Sequence, residues 1–242
     1  MTRIFHPAAL ESGKILALDE RACHHLINAL RAKTQDPVIL FNGEGGEYHA
    51  VIVRIEKQTI WVELHDFNAV DRESPLHIHL GQGISRGEKM DFTIQKAVEL
   101  GVTDITPLIT ERCGVQLSQE RWKKRLEHWQ KIIISACEQS GRNKLPQLHA
   151  VSSLPAWTQR ASPSVKIVLH PLASHTLKQT SLASGVGIDL LVGPEGGLSE
   201  AEVEFAVQQQ FSKINLGPRV LRTETAALAM IASLQSLYGD FC

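Results

Sequence analysis

The sequence predicts an α/β protein made of a small N-terminal β-barrel and a larger domain with a doubly wound parallel sheet. In the first 70 residues, short β-rich runs alternate with turns, which is typical of a small barrel. From Leu76 onward, apolar runs alternate with helical segments, and strands separated by helices pair in parallel. A chain of 242 residues is long enough for two such domains.

The N-terminal part contains one predicted helix among its strands. The helix spans Asp19–Lys33, where Asp19 is the expected N-cap and Leu26 and Leu30 share one face. The glycine-rich segment Asn42–Gly46 predicts a hairpin turn. The predicted strands are Lys14–Leu18, Pro37–Phe41, Glu47–Lys57 and Thr59–Phe67.

The pattern changes around residues 71–75, which predicts a barrel domain over residues 1–70 and an α/β domain over residues 75–242. Ser199 and Glu202 form a capping box that marks a helix start, whereas Ala150–Ser164 has the composition of a loop. The predicted strands are Leu76–Gly83, Ile105–Ile109, Lys166–His170, Asp189–Gly193 and Lys213–Leu216. The predicted helices are Glu88–Leu100, Gln119–Gln139, Ser199–Gln210 and Thr223–Leu237.

The composition argues against several classes of protein. The net charge of -1 gives no general sign of nucleic-acid binding, and no apolar run approaches the ~20 residues that span a bilayer. The first residues lack the apolar core of a signal peptide, so we expect a cytoplasmic protein with neither a membrane nor DNA as partner. The cysteines contain no C-x-x-C pair, so we expect reduced thiols and no metal site. They are Cys23, Cys113, Cys137 and Cys242.

Two glycine- and proline-rich loops near the C-terminus are the strongest functional signal. Gly193–Gly197 and Leu216–Thr225 each follow a short apolar run and precede a helical one. Loops at the carboxyl ends of two strands form a small-molecule pocket from main-chain groups, and glycine allows the backbone to approach a ligand closely. This arrangement indicates an enzyme with a cofactor. A simple strand-to-helix turn remains the alternative for the first loop.

The second loop contains two arginines in an unusual position. Arg219 and Arg222 flank a helix start at which Thr223 is the expected N-cap. The helix dipole is positive there, so it does not favour these cations and another requirement is expected to place them. Solvated surface arginines remain the alternative. The helical run Thr225–Ala232 is apolar nearly all round, which predicts burial in a core or in a dimer interface.

The two loop motifs, G-P-E-G-G-L-S at 193–199 and L-G-P-R-V-L-R-T-E-T-A-A at 216–227, resemble those of the SPOUT methyltransferases, and within them the RsmE family. Nearly the whole chain fits this resemblance. Further matching segments are His24–Leu26, Leu30–Arg31, Arg86–Met90, Gln95–Val102 and Glu138–Arg142. The resemblance implies a trefoil knot near the C-terminus, with S-adenosylmethionine bound in the knotted loops. It also implies a PUA-like N-terminal barrel that helps to hold RNA, and a homodimer.

The reaction implied by the family is methylation of N3 of a uridine in the 16S ribosomal RNA of the small subunit. Main-chain groups of Leu216, Leu221 and Ala226 are expected to contact the adenine. The full set of cofactor-binding residues implied is Leu169, His170, Pro171, Gly193, Pro194, Glu195, Gly197, Leu216, Gly217, Leu221, Arg222, Thr223 and Ala226. Glu195 is expected to organise its turn more than to touch the ligand.

Arg222 and Glu224 are the expected catalytic residues. A guanidinium stays protonated, so Arg222 is expected to stabilise negative charge on the uracil oxygens and not to act as a base. Glu224, Glu138 or a water molecule remain the alternatives for accepting the proton of N3. The expected RNA contacts from the family match are Arg3, Arg31, Arg86, Lys89 and Arg142. Residues 121–144 hold seven Lys and Arg against two acidic residues, and we expect RNA phosphates there as well, with a solvated helix face as the alternative.

Two other functions are compatible with parts of the sequence. A conventional NAD- or nucleotide-binding α/β enzyme would use the segment Gly81–Gly87, whose glycines approximate a dinucleotide-binding motif but with the third one place late. A non-catalytic RNA-binding scaffold would use the barrel and the basic helix. Neither function explains two pocket-forming loops.

Overall fold

The computed structural model describes residues 1–114, 118–180 and 185–241, so Cys242 lies outside the described residues. The chain divides into two compact units: Met1–Glu73 with Ile134–Leu145, and Ser74–Ile133 with Pro146–Cys242. The sequence analysis expected one continuous second domain over residues 75–242, whereas Ile134–Leu145 belongs to the first unit. Hydrogen bonds explain it, because Arg142 Nε donates to Glu73 Oε2 at 2.9 Å and Asn143 Nδ2 donates to Val70 O at 3.1 Å.

The first unit is built on a five-stranded sheet. Its strands are β1 (Thr2–Phe5), β2 (Ile15–Ala17), β3 (Pro37–Phe41), β4 (Glu47–Glu56) and β5 (Thr59–Asn68), in the order β1-β3-β4-β5-β2. The β1–β3 pair is parallel and the other pairs are antiparallel. The four predicted strands and the hairpin are confirmed. The sequence analysis missed β1, because a run of four residues with one fully buried side chain, Ile4, carries almost no periodic signal.

The predicted helix of the first unit is correct at its start and wrong at its end. Helix α1 (Glu20–His24) is capped by Asp19, whose side chain accepts a hydrogen bond from Ala22 N at 2.7 Å. The chain continues as one π-helical turn over His25–Ala29 and then leaves the helix, whereas the prediction extended to Lys33. Arg31 has a φ of 52°, a left-handed backbone conformation that ends a right-handed helix.

The second unit is built on a parallel sheet, as predicted. Its main strand order is β12-β10-β11-β6-β7-β8, with β9 also paired to β7, and each of these pairs is parallel. The strands are β6 (Ile78–Gly83), β7 (Asp104–Ile109), β8 (Gln147–Leu148), β9 (Ser152–Ser153), β10 (Val165–Leu169), β11 (Ile188–Val192) and β12 (Ser212–Ile214). Neighbouring parallel strands end at the same edge, so the segments that follow β10, β11 and β12 lie side by side.

The helices of the second unit are α2 (Glu88–Glu99), α3 (Gln119–Ser140), α4 (Leu154–Thr158), α5 (Glu200–Gln208) and α6 (Thr223–Tyr238), and the last turns of α3 belong to the first unit. The capping box is confirmed: Ser199 Oγ accepts from Glu202 N at 3.2 Å, and Glu202 Oε2 accepts from Ser199 N at 2.9 Å. Helix α6 packs against α2 and β11.

The expectation of a loop over Ala150–Ser164 is wrong, because this segment contains β9 and α4. Ser153 caps α4, and Pro155 fits its first turn, where no N–H is required. The helix buries Trp157 in a cluster with Leu154 and Phe211. Ser153 and Pro155 therefore mark the start of a helix, where the sequence analysis had taken the serines and prolines as signs of a loop.

Apolar side chains of the central strands form the core of the second unit. Ile78, Leu80, Ile105, Ile167 and Leu190 have no exposed surface. Among the described residues, no helix combines the length and the apolar character that crossing a membrane requires. The trefoil knot stays a prediction.

The Arg142–Glu73 ion pair has a consequence for stability, because both side chains are largely buried, at 6% and 13% exposure. Arg142→Ala is expected to lower the free energy of unfolding by about 3–5 kcal/mol, since it leaves a buried carboxylate without its partner. Urea denaturation followed by circular dichroism measures this. Lys144→Ala is the matched control, because its pair with Asp71 is exposed and is expected to contribute less than about 1 kcal/mol. An equally small change for Arg142→Ala would contradict a structural role.

Candidate active site

The segments that follow β10, β11 and β12 surround a pocket at the carboxyl edge of the parallel sheet. They contribute Leu169–Pro171, Val192–Leu198 and Ile214–Leu216 together with residues 219–224 and 226. The pocket has a volume of about 670 Å³, within the ~300–1,000 Å³ range of small-molecule sites. Main-chain atoms of glycine-rich turns make up much of its wall, as the two loops predicted.

The pocket contains all of the predicted cofactor-binding residues except Gly217, and it also contains Glu224. Gly217 instead shapes the third segment: its φ is 117°, and its N–H donates to Asn215 Oδ1 at 2.6 Å. The structure therefore brings the expected set together from three segments of the chain. The contact of each of these residues with a ligand stays a prediction.

The sequence analysis missed several pocket residues, of which Asn215 is the most informative. Its side-chain Nδ2 donates to Pro171 O at 2.8 Å and to Ala173 O at 3.3 Å, so it ties the third segment to the first. The sequence signal that could have identified Asn215 as a pocket residue was its position directly after β12. The other residues missed as pocket lining are Arg112, Val192, Leu198, Glu200 and Ile214, and Lys89 had been expected only as an RNA contact. Gly196, Arg219 and Val220 lie within the two predicted loops, although the expected cofactor-binding set did not name them.

The Gly193–Gly197 loop is fixed from outside by charged side chains. Glu195 Oε1 accepts from Arg86 N at 3.0 Å and lies 3.5 Å from Lys89 Nζ, while Arg112 Nη1 donates to Gly196 O at 3.1 Å. Burial by itself raises the pKa of Glu195, but main-chain hydrogen bonds and the charge of Lys89 outweigh it and hold the pKa below its usual value. Glu195 is therefore ionised and anchors the turn.

The start of α6 differs from the prediction at one residue. Arg222, and not Thr223, is the N-cap, and its side chain makes no capping hydrogen bond. Thr223 is the first helical residue and its hydroxyl donates to Gly193 O at 2.5 Å. The Arg222 side chain is exposed at the pocket and has no ion pair among the described residues. Its charge is thus available to a ligand.

Two buried polar atoms of pocket residues have no hydrogen-bond partner within the described parts of the chain. They are Glu224 Oε2 and His170 Nδ1. A buried polar atom without a partner costs roughly 1–3 kcal/mol, and a bound ligand removes that cost. Glu138, the other carboxylate considered as a base, is held in the first unit, where its two oxygens accept from Arg21 Nη2 at 2.8 Å and Nη1 at 3.1 Å.

The predicted RNA-binding residues divide into two groups. Arg3 and Arg142 are buried in the first unit, where Arg3 pairs with Glu47 and hydrogen bonds Asn143, and Arg142 pairs with Glu73. In the structure these two form ion pairs within the protein, so a structural role is shown, and their contact with RNA stays a prediction. Arg31 and Arg86 are exposed and Lys89 is partly exposed. In the basic segment, the exposed cations of α3 are Arg121, Lys123, Lys124 and Lys131.

A separate polar cluster lies at the amino ends of β6 and β7, away from the edge that carries the pocket. His79, Asp104 and His149 each have one potential metal-ligating atom, and these three atoms lie within 4.8 Å of one another. Arg160 Nη2 donates to His79 Nδ1 at 2.9 Å, Trp157 Nε1 donates to His79 Nε2 at 3.3 Å, and Thr106 Oγ1 lies 2.7 Å from the same Nε2. Burial, followed by the charge of Arg160, lowers the pKa of His79 to about 3. A guanidinium beside the ring opposes a metal dication there.

Two family models match the chain. One, described as an RNA methyltransferase domain, matches residues 72–235, and the other, described as an RNA methyltransferase PUA domain, matches residues 18–64. A ribosomal RNA small subunit methyltransferase E of Buchnera aphidicola subsp. Schizaphis graminum is 39% identical, with 98% of this chain and 97% of the relative covered. The protein of that name from Bacillus subtilis is 30% identical, with 96% and 95% covered.

Solved structures agree with these relatives. A ribosomal RNA small subunit methyltransferase E from Neisseria gonorrhoeae, bound to S-adenosyl methionine, is 41% identical, with a TM-score of 0.93 and 100% of both chains covered. The Legionella pneumophila protein Lpg2936, in complex with the cofactor SAM, is also 41% identical, with a TM-score of 0.96 and 99% of both chains covered. The chain therefore belongs to the RsmE family of ribosomal RNA small subunit methyltransferases.

Proposed function

We propose that this protein transfers a methyl group from S-adenosylmethionine to N3 of a uridine in the 16S ribosomal RNA of the small subunit. The observation that carries the proposal is the pocket itself: loops after three parallel strands form it from main-chain groups. Support comes from the family and from two relatives at 41% identity that were solved with this cofactor. A ribosomal RNA substrate supports the cytoplasm as the proposed location.

The pocket residues fit the cofactor. Gly197 has a positive φ, and a Cβ added to it would meet no atom within 4 Å, so the Gly193–Gly197 turn is open to a close ligand. Leu216, Leu221 and Ala226 offer main-chain groups for an adenine, and His170 and Glu224 offer buried polar atoms without partners among the described residues. When bound, S-adenosylmethionine supplies a methyl group already activated by a sulfonium, so the protein's task is alignment and charge stabilisation.

Arg222 and Glu224 are assigned complementary roles toward the uracil. The guanidinium of Arg222 stays protonated, so it donates hydrogen bonds to the uracil oxygens as negative charge develops. Glu224 accepts the proton of N3, a role supported by its position in the pocket and its unpartnered oxygen. Glu138 is disfavoured as the base, because Arg21 donates to both of its oxygens.

The RNA must present an exposed or flipped base, because N3 lies in the Watson–Crick edge. Arg31, Arg86 and Lys89 remain the proposed individual RNA contacts, and the exposed cations of α3 are proposed to bind phosphates. The PUA-type first unit supports an RNA substrate. The cofactor pocket argues against a scaffold without catalytic activity.

The dinucleotide-binding alternative is disfavoured by the packing of the segment it needs. A Cβ on Gly81 would lie 2.6 Å from the Trp157 ring, and a Cβ on Gly83 would lie 2.5 Å from Pro194 N. These two glycines therefore accommodate the protein's own atoms. No cradle for a phosphate remains at them.

Arg222→Ala is expected to keep the affinity for S-adenosylmethionine within about threefold and to lower methyl transfer by about 10²–10³-fold, the usual effect of removing a donor that stabilises developing charge. Calorimetry measures the first and transfer of labelled methyl to small ribosomal subunits the second. Arg222→Lys retains the charge but not the forked donor, so intermediate activity is expected. Lys213→Ala, at an exposed position of β12, is the control. Normal turnover in Arg222→Ala would refute the role.

We also infer a homodimer formed through α6. This helix buries six of its residues within the protein, yet Leu228, Ala229 and Ala232 on it are half-buried and Leu237 is 54% exposed. Partly exposed apolar side chains on a helix that is otherwise buried fit a second copy of the same surface. The family resemblance supports this arrangement.

Leu237→Glu is expected to convert the dimer into a monomer and to reduce methyl transfer by at least about tenfold, because a charge then lies in an apolar interface. Sedimentation velocity and the labelled-methyl assay measure the two effects. Val207→Glu, at an exposed position of α5, is the control. Full activity in a proven monomer would refute the requirement for a dimer.

A further inference from the structure

A buried amide lies at the carboxyl end of the central strand β6. Gln82 has no exposed surface and pairs in register with Val192, the last residue of β11. Its Nε2 donates to Gly83 O at 2.9 Å, to Gly193 O at 3.3 Å and to Thr223 Oγ1 at 3.0 Å. Gln82 is not itself among the residues that line the pocket.

The acceptors of this amide belong to two different walls of the pocket. Gly193 begins the loop after β11, and Thr223 begins α6, 30 residues later. Thr223 Oγ1 also donates to Gly193 O at 2.5 Å. The Gln82 amide, the Thr223 hydroxyl and the Gly193 carbonyl are thus each hydrogen-bonded to the other two. A single side chain therefore joins both pocket segments to the strand that precedes them by more than a hundred residues.

The orientation of the amide is determined by its neighbours. Gly83 O and Gly193 O are carbonyls, and the proton of the Thr223 hydroxyl is already directed to Gly193 O. The NH₂ group must face them, which leaves Gln82 Oε1 buried with no hydrogen-bond partner among the described residues. An unsatisfied buried carbonyl is unfavourable. An apolar side chain of equal length would avoid this cost but would lose the link between the loops.

Gly83 allows the loop to lie directly on the backbone of β6. A Cβ at this position would be 2.5 Å from Pro194 N and 2.6 Å from Pro194 Cδ, distances that no side chain tolerates. The loop is thus held by contact with Gly83 and by a hydrogen bond from Gln82. The same two residues belong to the segment that the sequence analysis considered for dinucleotide binding.

We propose that Gln82 is a positioning residue, which fixes the spacing between the Gly193–Gly197 loop and the start of α6 and so preorganises the pocket for S-adenosylmethionine. This inference rests on the proposed function. A ligand that contacts both segments binds tightly only if they are already at the correct distance, because ordering them on binding reduces the affinity. Gln82 acts through Gly193 and Thr223 without touching the ligand.

The test compares Gln82→Met, an apolar side chain of similar length, with Gln235→Met. Gln235 is an equally buried glutamine of the same unit, which accepts from Ser74 Oγ at 2.6 Å and donates to Leu100 O at 2.9 Å, outside the pocket. Gln82→Met is expected to raise the calorimetric Kd for S-adenosylmethionine about tenfold or more, the equivalent of ~1.4 kcal/mol. Gln235→Met is expected to leave Kd within about twofold of the wild-type value. Its thermal midpoint is nevertheless expected to fall at least as much as that of Gln82→Met, because it too loses buried hydrogen bonds.

Thr223, which belongs to the same set of contacts, supplies a second pair of variants. Thr223→Ser keeps the hydroxyl and is expected to keep the affinity, whereas Thr223→Val is expected to weaken it. Because both residues act through one set of contacts, Gln82→Met combined with Thr223→Val is expected to weaken binding by less than the product of the single effects. Hydrogen exchange at residues 193–198 and 222–225, measured without ligand, is expected to rise in Gln82→Met and not in Gln235→Met.

The outcomes separate this inference from the proposed function. If the wild-type protein does not bind S-adenosylmethionine, both are overturned. If the wild type binds and Gln82→Met binds equally well, the positioning role alone is overturned. Weakening in Gln235→Met equal to that in Gln82→Met would also overturn it, because the effect would then follow stability and not loop spacing.

Discussion

The parallel pairing of β12, β10 and β11 is the constraint on which the pocket depends. Leu169 pairs with Ile214, so the last residues of β10 and β12 lie level, and β11 ends beside them at Val192. Three segments distant in the chain therefore begin at one edge of the sheet. Glycine and proline turn each segment sharply, and Asn215 links the third to the first. The site is thus a consequence of strand order as much as of any side chain.

Charge is used for two different purposes in this protein. In the first unit, Arg3, Arg21 and Arg142 are paired with glutamates and hold the chain together. At the pocket, Arg222 is exposed and has no ion pair among the described residues. Buried ion pairs are strongly destabilised when one partner is lost, whereas an exposed cation is available to an anionic substrate. Residue type alone does not distinguish these arginines; the position of the nearest carboxylate does.

The sequence predicted those features that depend on local pattern. The capping box at Ser199 and the two pocket loops are confirmed as structural elements because their signals lie within a few residues. The end of α1 was wrong because it depends on a left-handed residue, and the helix α4 was missed because it depends on the burial of Trp157. The ion pairs of Arg3 and Arg142 were missed because their glutamate partners are distant in the chain. Gln82 carried no sequence signal at all, since two of its three acceptors are more than a hundred residues away.

Calorimetric titration of the purified protein with S-adenosylmethionine and, separately, with NAD tests the central claim most directly. The pocket at the carboxyl edge of β10, β11 and β12 is expected to give saturable binding of S-adenosylmethionine and none of NAD. Binding of NAD alone, or of neither compound, would contradict the assignment of this pocket to a methyl donor.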